Sequence, residues 1–176
     1  MKMFLNFLAI SFLMTSWMMM MMGCLSVSHI SATSGVKEDS LTNIPKGAKV
    51  VIVEKKNVSA DSLYEELVTI LLSRGHRLFK DDKERHYLTT EGKDVGQSTL
   101  QRMTVVVTGK ENSSQLKITT EWKAGAEASM MATAMSGIPM QSEWAIAMWG
   151  ISRLGIAFAE SVAIANEIKN GHIFYE

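Results

Sequence analysis

Two histidines of the chain have a spacing that could bind a metal ion. His76 and His86 lie ten residues apart on segments with strand-like composition, so a hairpin would bring their rings together. Asp81, Asp82 and Glu84 lie between them and would add carboxylate ligands. The alternative is that both histidines lie on a solvated sheet face and that the charged residues form an exposed turn.

The segment 124–141 is the second candidate, because it is rich in methionine and alanine and poor in charge. Its methionines are Met130, Met131, Met135 and Met140. Thioether sulfurs suit Cu(I), but methionine also fills irregular gaps in apolar cores. A third interpretation is that an exposed Met and Ala surface, continued by Trp144, contacts a partner or a membrane. The segment is expected to be a short helix or a mobile loop.

No sequence pattern typical of an enzyme is present. The chain lacks a G-x-S-x-G nucleophile elbow, a G-x-G-x-x-G dinucleotide motif and a P-loop. It carries 18 basic and 18 acidic residues, whereas general nucleic-acid binding requires a basic face. The sequence therefore predicts a protein that is not an enzyme, that needs no cofactor and that does not bind nucleic acid.

The single cysteine, Cys24, follows a long apolar segment in which Lys2 is the only charged residue. This layout is that of a secretory signal peptide. The end of the segment, residues 21–24 (MMGC), resembles the lipobox of bacterial lipoproteins, although Met22 is larger than the family's usual residue there. The resemblance implies that residues 1–23 are removed and that lipid on Cys24 anchors the protein to a membrane.

Two other interpretations of the amino terminus stay open. The apolar segment is long enough to span a bilayer as an uncleaved helix. It is also compatible with an ordinary cleaved signal peptide that is followed by an incidental cysteine. In the lipoprotein family, the absence of an aspartate or an acidic cluster directly after the cysteine implies the outer membrane and a position facing the periplasm. Here Leu25 follows Cys24.

Residues 24–47 are predicted to be the lipidated cysteine and a flexible tether. The stretch is rich in Ser and Thr and shows no apolar period. Removal of residues 1–23 would leave 17 basic against 18 acidic residues, a net charge of −1. A basic clamp on anionic lipids is therefore not expected.

Residues 48–176 are predicted to form one domain that begins with a strand and a helix. The central residues of 48–54 (AKVVIVE) are nearly all apolar, as in an inner strand. Ser59 is a suitable N-cap for the helix, and Gly75 lies where the helix should end. Between them an apolar stripe recurs at helical spacing. The stripe comprises Leu63, Leu67, Ile70 and Leu71, with Tyr64, Val68 and Leu72 at its margins.

Four further strands and a long helix are predicted after Gly75. The strands are residues 76–80, 85–91, 100–108 and 115–123. The last of them alternates apolar and polar residues, which predicts a sheet with one wet face. Residues 142–171 are apolar around most of a helical circumference and predict a long, largely buried helix, kinked near Gly150 or Gly155. Residues 172–175 are expected to end on the sheet.

The predicted fold is an α+β two-layer sandwich, with an antiparallel sheet in the order β-α-β-β-β-β and one or two carboxyl-terminal helices on one face. Residues 63–93 resemble small periplasmic lipoprotein domains of the TATA-binding-protein-like kind. The resemblance rests on a helix that leads through Gly75 into a strand, a charged turn at residues 81–84 and a strand that ends in residues 89–91 (TTE). It implies a binding or assembly module without shared catalytic residues.

These observations predict a lipid-anchored cell-envelope protein that binds another protein or an envelope component. The expected contact residues are Met130, Met131, Met135, Met140 and Trp144. The alternative function is metal binding in the envelope, either by the methionine-rich segment or by the pair His76 and His86.

Overall fold

The computed structural model describes residues 25–137 and 143–176. The predicted signal peptide, Cys24 and Met140 lie outside the described residues. The described part is a mixed α+β structure with five helices and eight strands. The helices are α1 (Val27–Ser34), α2 (Glu38–Thr42), α3 (Ala60–Ser73), α4 (Ala126–Ser136) and α5 (Arg153–Glu167). The strands are β1 (Val50–Lys56), β2 (Leu78–Asp82), β3 (Tyr87–Thr90), β4 (Lys93–Asp94), β5 (Thr99–Lys110), β6 (Ser113–Ala124), β7 (Ala145–Ile146) and β8 (His172–Tyr175).

All eight strands belong to one antiparallel sheet, in the order β2-β3-β5-β6-β1-β8. The short strands β4 and β7 add to β5 and β6. The predicted strand order is wrong, because β1 lies between β6 and β8 and because β4 and β7 were not expected. Pairing between strands far apart in the chain leaves no local sequence signal. The prediction that residues 172–175 end on the sheet is confirmed, since β8 pairs with β1.

Helix α3 forms as the sequence predicts. The hydroxyl oxygen of Ser59 accepts a hydrogen bond from the backbone N–H of Ser62 at 3.2 Å, which caps the first turn. The chain leaves the helix through Gly75 at a φ of +78°, a conformation that favours glycine. The predicted apolar stripe is buried and packs against β5 and β6, whereas Leu72 at its margin is 55% exposed.

The long helix predicted over residues 142–171 is wrong in its first third. The chain forms strand β7 and then an irregular segment, and α5 begins only at Arg153. A Cβ atom on Gly155 would lie 1.8 Å from the carbonyl oxygen of Gly150, so the chain folds back onto the start of α5 there. Backbone hydrogen bonds join Trp149 to Gly47 and Ala48 and fix the irregular segment beside β1. Only Ala147 and Trp149 of this apolar stretch are buried, whereas Ile146, Met148 and Ile151 are exposed.

The flexible tether predicted over residues 24–47 is also wrong for the described residues 25–47. Helices α1 and α2 lie in this stretch, and α1 packs against α5. The side chains of Ile30 and Leu41 are completely buried. The hydroxyl of Ser34 donates to the carbonyl oxygen of Ile30, and the hydroxyl of Ser31 donates to that of Val36. The serine hydroxyls thus bond to backbone groups of their own segment.

Candidate functional site

An open groove of about 520 Å³ crosses β2, β3, β5 and β6 on the face of the sheet that α3 and α5 leave uncovered. The strand alternation decides which side chains reach it. Gln101, Met103 and Val105 of β5 are buried, whereas Arg102 and Thr104 between them are partly exposed and line the groove. The volume falls within the range of ligand pockets. We call this site the outer groove.

Trp144 forms one wall of the outer groove. It lies just before β7, which pairs with β6 and so holds the indole over the sheet. The guanidinium carbon of Arg102 lies 4.5 Å from the ring centroid, and the ammonium nitrogen of Lys123 lies 4.9 Å from it. Both distances fit cation–π contacts. The ring also lies against Gly92, where a Cβ atom would come within 3.2 Å of it.

The opposite wall comes from the edge strand β2 and from β3. Phe79 on β2 is 79% exposed, more than any other large apolar side chain described. Beside it, the Lys80 ammonium lies 5.3 Å from the centroid of the Tyr87 ring. Thr89 and Thr104 are register partners on β3 and β5 and lie between the walls. The outer groove therefore has two aromatic walls and a polar floor.

Charges in the outer groove are balanced and largely paired. Its lining contains the cations of Lys80 and Arg102 and the carboxylates of Glu91 and Glu121. The Nε atom of Arg102 donates to Glu121 Oε2 at 2.7 Å, which holds the guanidinium beneath Trp144. No histidine, cysteine or serine is among the residues that line the groove. Its chemistry suits recognition through aromatic surfaces and hydrogen bonds.

A second cluster of polar side chains surrounds Glu160 on α5, which is only 5% exposed. Arg74 binds the carboxylate with two nitrogens, at 2.7 and 3.2 Å. His76 Nε2 lies 3.0 Å and Lys93 Nζ 3.1 Å from Glu160 Oε1. Arg74 also pairs with the partly exposed Glu167 at 2.6 Å. The cluster joins the end of α3, strand β4 and α5.

The partners of Glu160 keep it ionised despite its burial. Burial by itself would raise the pKa of the carboxyl group. Hydrogen bonds from His76 and Arg74 and the charges of Arg74 and Lys93 outweigh that effect, so the pKa of Glu160 lies far below its ordinary value. Arg74, His76 and Lys93 all contact this one carboxylate, whereas the Nδ1 atom of His76 is buried without a hydrogen-bond partner among the described residues. Removal of the carboxylate would leave the two cations without their buried partner.

The structure does not bring His76 and His86 together. His76 is buried beyond the end of α3 and contacts Glu160, whereas His86 lies in the β2–β3 turn and contacts Asp61 at 2.9 Å. Asp61 belongs to the first turn of α3, and the backbone N–H of His76 bonds to Leu71 in its last turn, so the two histidines lie near opposite ends of a helix about 20 Å long. The predicted hairpin pairing of their rings is therefore wrong. Within residues 25–137 and 143–176, no three His, Cys, Asp or Glu side chains are grouped as metal ligands.

The described part of the methionine-rich segment forms helix α4, and the three methionines of that helix are exposed. Met130, Met131 and Met135 are 64%, 68% and 76% exposed. No residue of α4 is buried, which excludes the gap-filling interpretation for these three side chains. Trp144, predicted to belong to the same contact surface, packs instead on the outer face of the sheet.

Sequence reasoning did not find most residues of the outer groove. Alternation along β6 placed Glu121 on the wet face, and the structure confirms that face. Phe79 and Arg102 carried no signal of their own, because a groove forms only when separate strands become neighbours. The order β2-β3-β5-β6 brings them together.

Comparisons with known proteins assign neither a family nor a function to this chain. No family model and no curated protein matches it. Among solved structures, it is similar to the crystal structure of a DUF4468 family protein from Bacteroides ovatus ATCC 8483. The identity is 14%, the match covers 72% of this chain and 90% of that chain, and the TM-score is 0.38. None of the described helices is long and apolar enough to cross a membrane.

Proposed function

We propose that this chain is a non-enzymatic binding module of the bacterial cell envelope, and that its outer groove takes part of a partner protein. The observation that carries the proposal is the composition of the groove, in which Trp144, Arg102 and Tyr87 lie around one open volume. Tryptophan, tyrosine and arginine are the residues that most often supply the binding energy of protein interfaces.

The exposure of Phe79 supports a protein partner. A phenylalanine left 79% exposed at the rim of a groove keeps a large apolar area in water, which burial against a partner would remove. The cations of the groove are already paired or stacked, as Arg102 is with Glu121 and Trp144. A partner therefore gains affinity from aromatic contact and backbone hydrogen bonds rather than from a strong opposite charge.

We also propose that removal of residues 1–23 leaves Cys24 as a lipidated amino terminus, held at the outer membrane and facing the periplasm. The sequence MMGC at residues 21–24 supports this anchoring. The domain is further proposed to be a two-layer sandwich of the TATA-binding-protein-like kind, which the contacts of α3 and α5 with strands of the same sheet support. Such a fold leaves the other face of the sheet free for the partner.

Crosslinking in intact cells, followed by binding measurements, tests the groove. A photo-crosslinking amino acid replaces Phe79 on the edge strand β2, and a matched control carries it at Phe174, which is 50% exposed on the opposite edge strand β8. We expect one protein to crosslink at position 79 and not at position 174. The protein identified in this way is then purified and its affinity for the intact chain is measured.

The substitutions Trp144→Ala and Phe79→Ala should each weaken that affinity about tenfold or more, which corresponds to about 1.4 kcal/mol. Phe174→Ala is the control and should leave it unchanged. Circular dichroism confirms that each variant is folded. Equal affinities for the wild type and both groove variants would rule out the outer groove as the binding site.

Anchoring is tested separately by growth with labelled palmitate and by the mass of the mature protein. The wild type should incorporate the label and begin at Cys24, and Cys24→Ser should do neither. Lack of label on the wild type would contradict the anchoring and leave the groove experiment unaffected.

A further inference from the structure

Helix α4 is unusual in being short, nearly uncharged and exposed to water. It has 11 residues, one of them charged, and none of them is buried. Isolated helices of this length are marginal in water, and helices with little charge on any face normally lie against another apolar surface. Met130, Met131 and Met135 are exposed, whereas Ala128 and Ala132, which adjoin Met131 and Met135 on the helix surface, are partly covered. We call the exposed part of the surface that carries the three methionines the methionine side. The methionine side therefore lacks an apolar neighbour in the described structure.

A chain of contacts ties the base of α4 to the amino-terminal helix α1. His29 of α1 contacts Gln97, the residue next to Ser98. The carbonyl oxygen of Ser98 accepts from the backbone N–H of Gly125 at 2.6 Å, and its hydroxyl donates to Glu127 Oε2 at 2.9 Å. Both helices therefore start at the end of the sheet where β5 begins and β6 ends.

The distance from Cys24 to the folded part is short. Helix α1 starts at Val27, so only Leu25 and Ser26 separate it from Cys24, and three residue steps span at most about 10 Å. Leu25 itself packs against the core. Lipid on Cys24 would consequently hold this end of the domain, including the base of α4, directly at the bilayer surface.

We propose that α4 lies on that bilayer and inserts its methionine side into the boundary between headgroups and acyl chains. The inference rests on the proposed lipid anchor at Cys24, and it gives the chain a second membrane contact. Apolar side chains that enter the bilayer boundary add to the binding that lipid on Cys24 would provide. Helix α4 contains no Lys or Arg, and its one charged residue, Glu127, is exposed in the first turn, so the three methionines supply the apolar part of the contact. It should therefore depend little on salt or on anionic lipid.

The test places a fluorescent label on α4 in the full chain. Met131→Cys is produced in bacteria, extracted with its native modification and reconstituted into zwitterionic phosphatidylcholine vesicles that contain lipids with a nitroxide near the headgroup. The matched control is Asn112→Cys in the β5–β6 turn, which lies a whole 12-residue strand, about 35 Å, from the base of α4. Lipid on Cys24 blocks its sulfur, and mass spectrometry records that modification and the position of the label.

We expect the label at position 131 to lose most of its emission to the nitroxide lipids, equally at low and high salt, and the label at position 112 to keep its emission. Equal emission from both labels beside a lipidated Cys24 would overturn the membrane contact of α4 and leave the anchor intact, and α4 would then face a protein. An unmodified Cys24 would instead overturn the anchor, and with it the argument that places α4 at a bilayer.

Discussion

The amino-terminal stretch 25–47 and helix α4 both depart from the usual expectation that apolar segments are buried and polar segments are exposed. The polar stretch is partly buried, and the apolar helix is exposed. The first is rich in Ser and Thr, yet Ile30 and Leu41 are completely buried. The second is rich in Met and Ala, yet none of its residues is buried. The difference shows that a few well-placed apolar residues with a partner surface matter more than mean composition. The stretch 25–47 has α5 as that partner surface, whereas Met130, Met131 and Met135 of α4 stay exposed.

Of the proposed changes, removal of the Glu160 carboxylate should lower the stability of the domain most. Glu160 lies on α5, the helix against which α1 of the stretch 25–47 packs. Glu160→Ala leaves Arg74 and Lys93 without their buried partner and should lower the free energy of unfolding by about 3–5 kcal/mol. The matched control is Glu167→Ala, which removes the partly exposed partner of the same arginine and should cost less than about 1 kcal/mol. Urea unfolding of the two variants measures both values. If the two variants lost the same free energy of unfolding, the buried Glu160 would contribute no more to stability than the partly exposed Glu167.

Shortening a buried side chain in the amino-terminal stretch should come next. Leu41→Ala creates a cavity at a site with no solvent exposure and should destabilise the domain by about 2–4 kcal/mol. A flexible tether would tolerate the change without loss. The measurement is again the midpoint of urea unfolding, and Thr42→Ala at the neighbouring exposed position is the control. An unchanged midpoint for Leu41→Ala would restore the tether interpretation.

Acid should also lower the stability of the domain through the Glu160 carboxylate, by less than the substitution of Leu41 does. The pKa of this carboxyl group is lower in the folded protein than its ordinary value of 4.5, so its contribution to stability is complete above about pH 5. As the pH falls below 4.5, the unfolded chain takes up the proton first, and stability drops by about 1 kcal/mol per pH unit. Glu160→Ala should show a correspondingly shallower loss. Parallel curves for the two proteins between pH 5 and pH 3 would contradict this assignment.

The smallest change in stability should come from a substitution in α4. Met131→Ala removes a side chain that is 68% exposed and should change the free energy of unfolding by less than about 0.5 kcal/mol. A loss of 2 kcal/mol or more, of the order that burial gives, would mean that α4 packs on its own domain in solution. The contrast with Leu41→Ala would then disappear.

Local sequence signals predicted α3 and β6 well, because these elements depend on neighbours along the chain. The cap at Ser59, the apolar stripe and Gly75 define α3, and alternation along β6 separated its buried face from its wet face. The segment before α5 could not be predicted in this way. Trp149 is buried beside the chain before β1, whereas Met148 and Ile151 are exposed, and local periodicity cannot distinguish such an arrangement from a buried helix.

The sequence by itself was enough to predict helix α3 and the wet and dry faces of β6. It also supports the hypothesis that Cys24 carries lipid. Tertiary structure alone decided the outer groove, the buried cluster at Glu160 and the contrast between residues 25–47 and α4. The reason is physical. Capping and periodicity act over a few residues along the chain, whereas a groove, an ion pair between α3 and α5, or the exposure of α4 depends on which distant segments become neighbours.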